Sequence, residues 1–189
     1  MVAMLPRRTM LRLFAAVVCA GCVAHAQDAR MPAPAPGPVL VFETVKGTFE
    51  IETYPSLAPK SVAHVVALVK DGFYDGLRVH RLIPNFVVQF GDPQSSDLGK
   101  REEWGSGGSG KPVGVAEISK VVKQSIGMVS LAHAGNGSSV DSQMFIVLGP
   151  ASHIDGKFPI VGKVTTGLDV VRKLAVEDRI VRATVKGAT

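Results

Sequence analysis

Cysteine is scarce in this chain. Of 189 residues only two, Cys19 and Cys22, are cysteines, and both fall within the first 26 positions. If that segment is removed, disulfides, cysteine-bound zinc and a thiol nucleophile are excluded together. A long apolar run is missing too. The longest, Leu13 to Val23, is about half of the roughly 20 residues that a spanning helix needs. Tight histidine pairs are absent: His64, His80, His133 and His153 are too widely spaced for an ordinary zinc site, and no metal is expected. There is no G-x-S-x-G elbow to support a serine hydrolase. Lys and Arg do not cluster with aromatic residues, which argues against a nucleic-acid partner.

Residues 1 to 26 also lack any acid, while Arg7, Arg8 and Arg12 precede the apolar run and Ala24-His25-Ala26 follows it. That order reads as a secretory signal peptide. The protein is therefore expected to be exported, and the short bacterial-looking signal points to a periplasm. Arg7-Arg8-Thr9-Met10-Leu11-Arg12 leaves a twin-arginine route open beside the general one. Ala20-Gly21-Cys22 leaves open a lipid anchor at Cys22, although Cys19 occupies a position where an aliphatic residue is expected. The signal carries three of the 21 Lys and Arg and none of the 16 acids, so the remainder holds 18 bases against 16 acids. The formal charge of +5 is largely a targeting effect.

What remains is a globular chain, since 46% apolar against 20% charged residues can bury a core. Residues 27 to 38, QDARMPAPAPGP, have no apolar period and read as an extended linker. One domain is expected over residues 39 to 189. Val39 to Thr44 and Thr48 to Thr53 alternate as strands around Val45-Lys46-Gly47, a hairpin turn. Pro59 opens a helix whose Val62, Val65, Val66 and Val69 recur on one face, and Asp71-Gly72 closes it. His64 beside that stripe reads as a packing or surface residue. Asp92 to Lys111 is a long Gly- and Ser-rich loop; its Trp104 either covers a groove or anchors the loop. Ser125 to Ala132 and Ser142 to Leu148 read as strands. A last helix carries Leu168, Val171, Leu174 and Ala175, with Asp169 early and Arg172 and Lys173 late, as the helix dipole favours. The run Ile180 to Val185 can close the sheet.

The densest chemistry lies in VHRLIPNFVVQFGDP, from Val79 to Pro93. Alternation places Arg81 on one face with Val79 and Ile83, among apolar neighbours, and His80 on the other. Pro84-Asn85 makes a turn. Phe86 to Phe90 follows as a strand with Val87 and Gln89 on one face and Phe86, Val88 and Phe90 on the other. Pairing the two strands gathers Arg81, Phe86 and Gln89, a set suited to a neutral ligand bearing carbonyls. The residues alone equally allow an Arg paired with a surface carboxylate, and Phe86 and Phe145 as ordinary core.

This stretch resembles the signature of the cyclophilin family of peptidyl-prolyl isomerases, roughly F-H-R-x-I-P-x-F-x-x-Q-x-G-D-P, at His80, Arg81, Ile83, Pro84, Phe86, Gln89, Gly91, Asp92 and Pro93. GMVSLAHAG…DSQMFIVLG and the segments His153 to Phe158 and Ile160 to Lys163 resemble it again. Pattern alone reaches a mainly β domain with two helices. The resemblance implies a closed eight-stranded antiparallel β-barrel capped by two α-helices, over about Val39 to Val185.

It also implies the site. Arg81 would be catalytic. Phe86 and Phe145 would take the proline ring, with Val87 and Leu131 as further walls. Gln89 and the backbone from Ala132 through His133 to Ala134 would hold peptide carbonyls, Gln143 would line the groove, and His80 would flank it. His153, Ile154 and Phe158 would complete it. Three of these depart from the family pattern: His153 stands where a cyclosporin-binding Trp is common, Val87 for a usual Met and Phe158 for a frequent His. Cyclosporin binding is accordingly expected to be weak. The expected partners are proline-containing peptides and unfolded chains, with a monomeric protein, no cofactor, no nucleic acid and no membrane span. A non-catalytic proline-peptide-binding or chaperone module on the same fold is the alternative, and Arg81 argues against it.

Overall fold

The computed structural model describes residues 34–135 and 137–187. The expected signal peptide, its export route and the Cys22 alternative lie outside the described residues, as do positions 27–33 of the expected linker. Among the described residues no helix is long and apolar enough to cross a membrane.

The domain starts with the hairpin of β1 (Val39–Thr44) and β2 (Gly47–Thr53). Gly47 closes its turn at φ 125°. Period-2 alternation turns Leu40, Phe42, Phe49 and Ile51 inward, where they are fully buried. Helix α1 (Pro59–Lys70) begins on its proline, whose missing N–H a helix start does not use. It buries Val62, Val65, Leu68 and Val69, while Val66 sits half-buried at the edge of the stripe. β3 (Arg81–Ile83) and β4 (Val87–Phe90) follow. Asn85, with φ 58°, makes the tight connection between them, a backbone angle that asparagine tolerates better than most residues. β5 (Met128–Leu131), β6 (Met144–Val147), β7 (Ile160–Thr166), α2 (Leu168–Lys173) and β8 (Ile180–Val185) complete the domain. α1 packs on β8 and α2 on β2.

All ladders are antiparallel, in the order β3-β4-β6-β5-β7-β2-β1-β8. The sheet is an open half-barrel, which corrects the expected closed barrel. β3 has only three residues, and no ladder joins it to β8. The segment before β3 meets the start of β8 through an isolated bridge, Arg78 to Arg179, and through bonds from Val79 N–H to Asp178 and from Ile180 N–H to Leu77. Glu177, at φ 75°, turns the chain there, so a regular ladder cannot continue.

The sheet buries both of its faces near β4 and β6, and this places the site. Val88, Phe90, Met144 and Ile146 point inward to the main core. There the Phe42, Phe49, Tyr74 and Phe90 rings meet, Phe42 stacking on Phe49 at 5.2 Å. Val87, Phe145 and Val147 point outward into a second, smaller cluster. The outer residues belong to the same strands and are separated from the core only by the alternation of the pleat.

Candidate active site

Strand register lines three groups up across the outer face: Arg81 on β3 opposes Gln89 on β4, and Gln89 opposes Phe145 on β6. Beside Arg81 opens a groove of about 290 Å³. Its floor is Val87 and Phe145, and its walls are Phe86, Ala132, His133, His153, Ile154 and Phe158. Phe158 meets Phe145 edge-on at 5.2 Å and the His133 ring at 5.0 Å. The His153 ring lies 4.8 Å from Phe86. His133 Nε2 is 2.9 Å from the Lys157 carbonyl, so that nitrogen carries the proton and donates. The groove is thus an apolar slot with one cation at its rim.

That cation is held by a chain of oriented amides. Arg81 Nη1 donates to Gln89 Oε1 at 3.0 Å, Gln89 Nε2 donates to Gln143 Oε1 at 2.8 Å, and Gln143 Nε2 donates to the carbonyls of Gly105 and Gly107 at 2.9 and 2.7 Å. Each link fixes the next amide's orientation, because an amide oxygen only accepts and its nitrogen only donates. The chain ends on a loop built around Asp92. This carboxylate is wholly buried and accepts from the N–H groups of Gln94, Gly105 and Gly107. Gly91, at φ 101°, lets β4 pass close to Ser142, where a Cβ would come within 2.3 Å of the Ser142 carbonyl.

Several expectations change. Arg81 is exposed, not set among apolar neighbours: Val79 is buried in the core and Ile83 is 36% exposed, because residues 79 and 80 precede the strand and its alternation. Phe86 joins the Val87 cluster rather than the core face of Val88, since it stands at the turn. Leu131 is fully buried in the main core and lines neither cavity. The Gln89 amide lines both cavities and is engaged at each end, its Oε1 by Arg81 and its Nε2 by Gln143. The Ala132 and Ala134 N–H groups are already spent on Gln143 and Ser139.

His80 does not line the groove. It lies half-buried under the Gly105 loop, and neither ring nitrogen makes a hydrogen bond among the described residues. Burial holds its pKa below the usual histidine value, an effect the nearby Asp92 carboxylate only partly opposes. Trp104 anchors the loop: its Nε1 donates to the Asp97 carbonyl at 3.0 Å, and it lines neither cavity.

A second cavity of about 420 Å³ adjoins the groove at Gln89, Ala132 and His133 and is walled by Gly105, Gly107 and Asp141. Asp141 is held by His64 Nε2 at 2.9 Å, Gly110 N–H at 3.2 Å and Ser109 Oγ. Asp92, Asp141 and the two glycines carry no role in the sequence reading. The one signal for them was a glycine-rich loop directly after a strand-ending Gly-Asp-Pro. Among the described residues no three His, Cys, Asp or Glu are grouped to hold a metal.

Comparison with known proteins gives a consistent answer. The family model described as cyclophilin type peptidyl-prolyl cis-trans isomerase/CLD matches residues 39–186. A probable peptidyl-prolyl cis-trans isomerase of Brucella abortus is 34% identical over 192 residues, covering 92% of this chain and 96% of that one. Peptidyl-prolyl cis-trans isomerase B of Bacillus subtilis is 37% identical over 138 residues, covering 73% and 90%. The crystal structure of a Cryptosporidium parvum cyclophilin type isomerase superposes with a TM-score of 0.69 over 80% of this chain and 99% of that one, at 22% identity.

Proposed function

The chain belongs to the cyclophilin-type peptidyl-prolyl cis-trans isomerase family, and from that membership we propose that its outer-face groove binds X-Pro segments and that Arg81 drives their isomerisation. The observation that carries this reading is the Arg81 guanidinium fixed by Gln89 at the rim of a phenylalanine-lined slot.

Resonance keeps an X-Pro amide planar behind a barrier of about 20 kcal/mol, so spontaneous isomerisation takes tens to hundreds of seconds. In the twisted state resonance is broken and the prolyl nitrogen becomes pyramidal, with a lone pair that accepts a hydrogen bond. Arg81 donates it. The planar amide has no such lone pair to offer, so the bond forms in the transition state and not in either ground state, which is the condition for catalysis. Gln89 occupies one of the guanidinium's five donors, leaving the rest of the fork for substrate. A hydrogen bond to a charged group is worth about 1.5–3 kcal/mol, or about ten- to hundredfold in rate. The apolar floor of Val87 and Phe145 grips the ring while the preceding residue rotates. Arginine stays charged at any working pH, and no covalent bond or proton transfer is needed.

The clients are proline-containing peptides and unfolded chains, and the protein works as a monomer. Export to the periplasm is part of this reading, supported by the Arg-bearing start and Ala24-His25-Ala26; cell fractionation tests it. His153 in the wall supports weak cyclosporin binding. The central test is a protease-coupled assay of a short proline peptide with the natural chain and Arg81→Ala. Acceleration by the first and its loss in the second are expected. Binding of the peptide by both without acceleration by either would leave only the recognition module.

A further inference from the structure

Immediately before β1 the chain reads Met31-Pro32-Ala33-Pro34-Ala35-Pro36-Gly37-Pro38, four X-Pro bonds in eight residues. We infer that the Ala35–Pro36 bond of this run is a substrate for the groove of a second copy of the same chain. The inference rests on the isomerase reading above.

Ala35 and Pro36 are exposed and belong to no regular element. The next residue is pinned. Gly37 N–H donates to the Thr53 carbonyl at 2.8 Å, and the Pro38 carbonyl accepts from Thr53 N–H at 3.2 Å and Oγ1 at 2.7 Å. A Cβ at Gly37 would lie 2.5 Å from the Pro55 ring, so the backbone runs tight against that proline. Ala35 and Pro36 therefore lead away from a fixed stem.

That stem stands on β2, whereas the groove floor lies on β4 and β6. The sheet order puts β7 and β5 between β2 and β6. Three strand spacings amount to about 14 Å, and the single residue from Gly37 to Pro36 spans only about 3.5 Å. Pro36 cannot enter its own groove, so the encounter needs two copies. The chemistry fits: the slot is lined by Phe86, Phe145 and Phe158 for a proline ring, and alanine before it is too small to clash with the rim. An alternating Ala-Pro run favours the extended polyproline conformation, so little chain entropy is lost on docking.

The experiment is exchange NMR on a synthetic peptide of residues 31–38 with a catalytic amount of the full chain. A standard Ala-Pro peptide of unrelated sequence runs beside it, and Arg81→Ala serves as the control. Cis–trans exchange at Ala35–Pro36 is expected to rise more than about tenfold above the spontaneous rate, which is set by tens to hundreds of seconds, and to fall back with Arg81→Ala. In the intact chain the same exchange should grow in proportion to protein concentration. Acceleration of the standard peptide without the tail peptide overturns this inference alone. Acceleration of neither overturns the isomerase reading on which it rests. Concentration-independent exchange in the intact chain overturns the two-copy geometry.

Discussion

Arg81 and Gln89 face each other across the β3–β4 ladder, and Nη1 of the one donates to Oε1 of the other at 3.0 Å. Gln89 is buried whereas Arg81 is exposed, so a fixed amide holds a side chain that would otherwise sample many rotamers. An exposed arginine loses up to about 2 kcal/mol of rotamer freedom when it is immobilised. In this fold that ordering is done before substrate arrives.

Gln89→Leu keeps the charge of Arg81 and removes its holder. We expect kcat/KM to fall about tenfold, the equivalent of about 1.4 kcal/mol, mostly through kcat, with the fold retained. In an Arg81→Ala background the same change should cost little, because residues acting through one interaction are not additive. A full tenfold loss in both backgrounds would mean that Gln89 acts on the substrate directly.

Asp92 is the other fixed point. Asp92→Ala would leave the N–H groups of Gln94, Gly105 and Gly107 without their acceptor, and an N–H that water cannot reach in its place costs about 1–3 kcal/mol. Destabilisation of about 2–5 kcal/mol in urea unfolding is expected. Because Gln143 rests on the carbonyls of Gly105 and Gly107, the surviving folded protein should also show a lower kcat. Unchanged stability would contradict the burial of this carboxylate.

Much of the groove is legible in the sequence because its residues sit in one short stretch and its sequel. Arg81, Phe86, Val87, Gln89, Gln143 and Phe145 come together as the family resemblance implies, and the hairpin of β1 and β2 follows from alternation around Gly47. What alternation could not supply was the side of the sheet. Val79 and Arg81 are two apart yet differ in burial, because no strand connects them. Leu131 and Phe145 look alike as apolar strand residues, but one faces the core and the other the groove. Long-range closure was hidden too: whether β3 reaches β8 depends on a turn at Glu177, which no period reveals. Asp92 stands in the sequence only as a signature position at the start of a long loop, and its partners thirteen and fifteen residues later, Gly105 and Gly107, carry no pattern.

Gly149 shows how a residue outside the groove shapes it. A Cβ there would come within 1.9 Å of the Asn85 carbonyl, and the neighbouring Leu148 N–H donates to Phe86 at 2.7 Å. Gly149→Ala must push away the turn that presents Phe86. A rise in KM and a stability loss of about 1–3 kcal/mol, typical of overpacking, are expected in steady-state assays and thermal unfolding. Wild-type KM in this variant would show that the turn yields elsewhere.

His153 stands exposed against Phe86. His153→Trp offers a larger apolar wall at the groove rim, and full burial of an aromatic side chain is worth about 1.5–3 kcal/mol. Cyclosporin inhibition should strengthen by about tenfold or more while turnover of a short peptide changes little. No gain in inhibition would place the weakness elsewhere, with Val87 and Phe158 as the next candidates.

The pH behaviour separates catalysis from folding. The proposed mechanism moves no proton, and arginine as a residue type is charged at any working pH, so kcat/KM should stay flat from about pH 7 to 9. Stability should not stay flat below that. Burial lowers the folded pKa of His80 below the ordinary histidine value of about 6.5, so between the two values the unfolded chain binds more protons than the folded one. Stability then rises with pH across that window and is lost as pH falls from about 6.5, by at most about 1.4 kcal/mol per pH unit for one group. Asp92 lies beside His80 but is already committed to three N–H groups, which limits how far it can offset the new charge. Thermal unfolding from pH 5 to 8, compared with His80→Gln, measures the effect. The variant should have the shallower slope below pH 6.5, and equal slopes would assign the acid sensitivity to other groups.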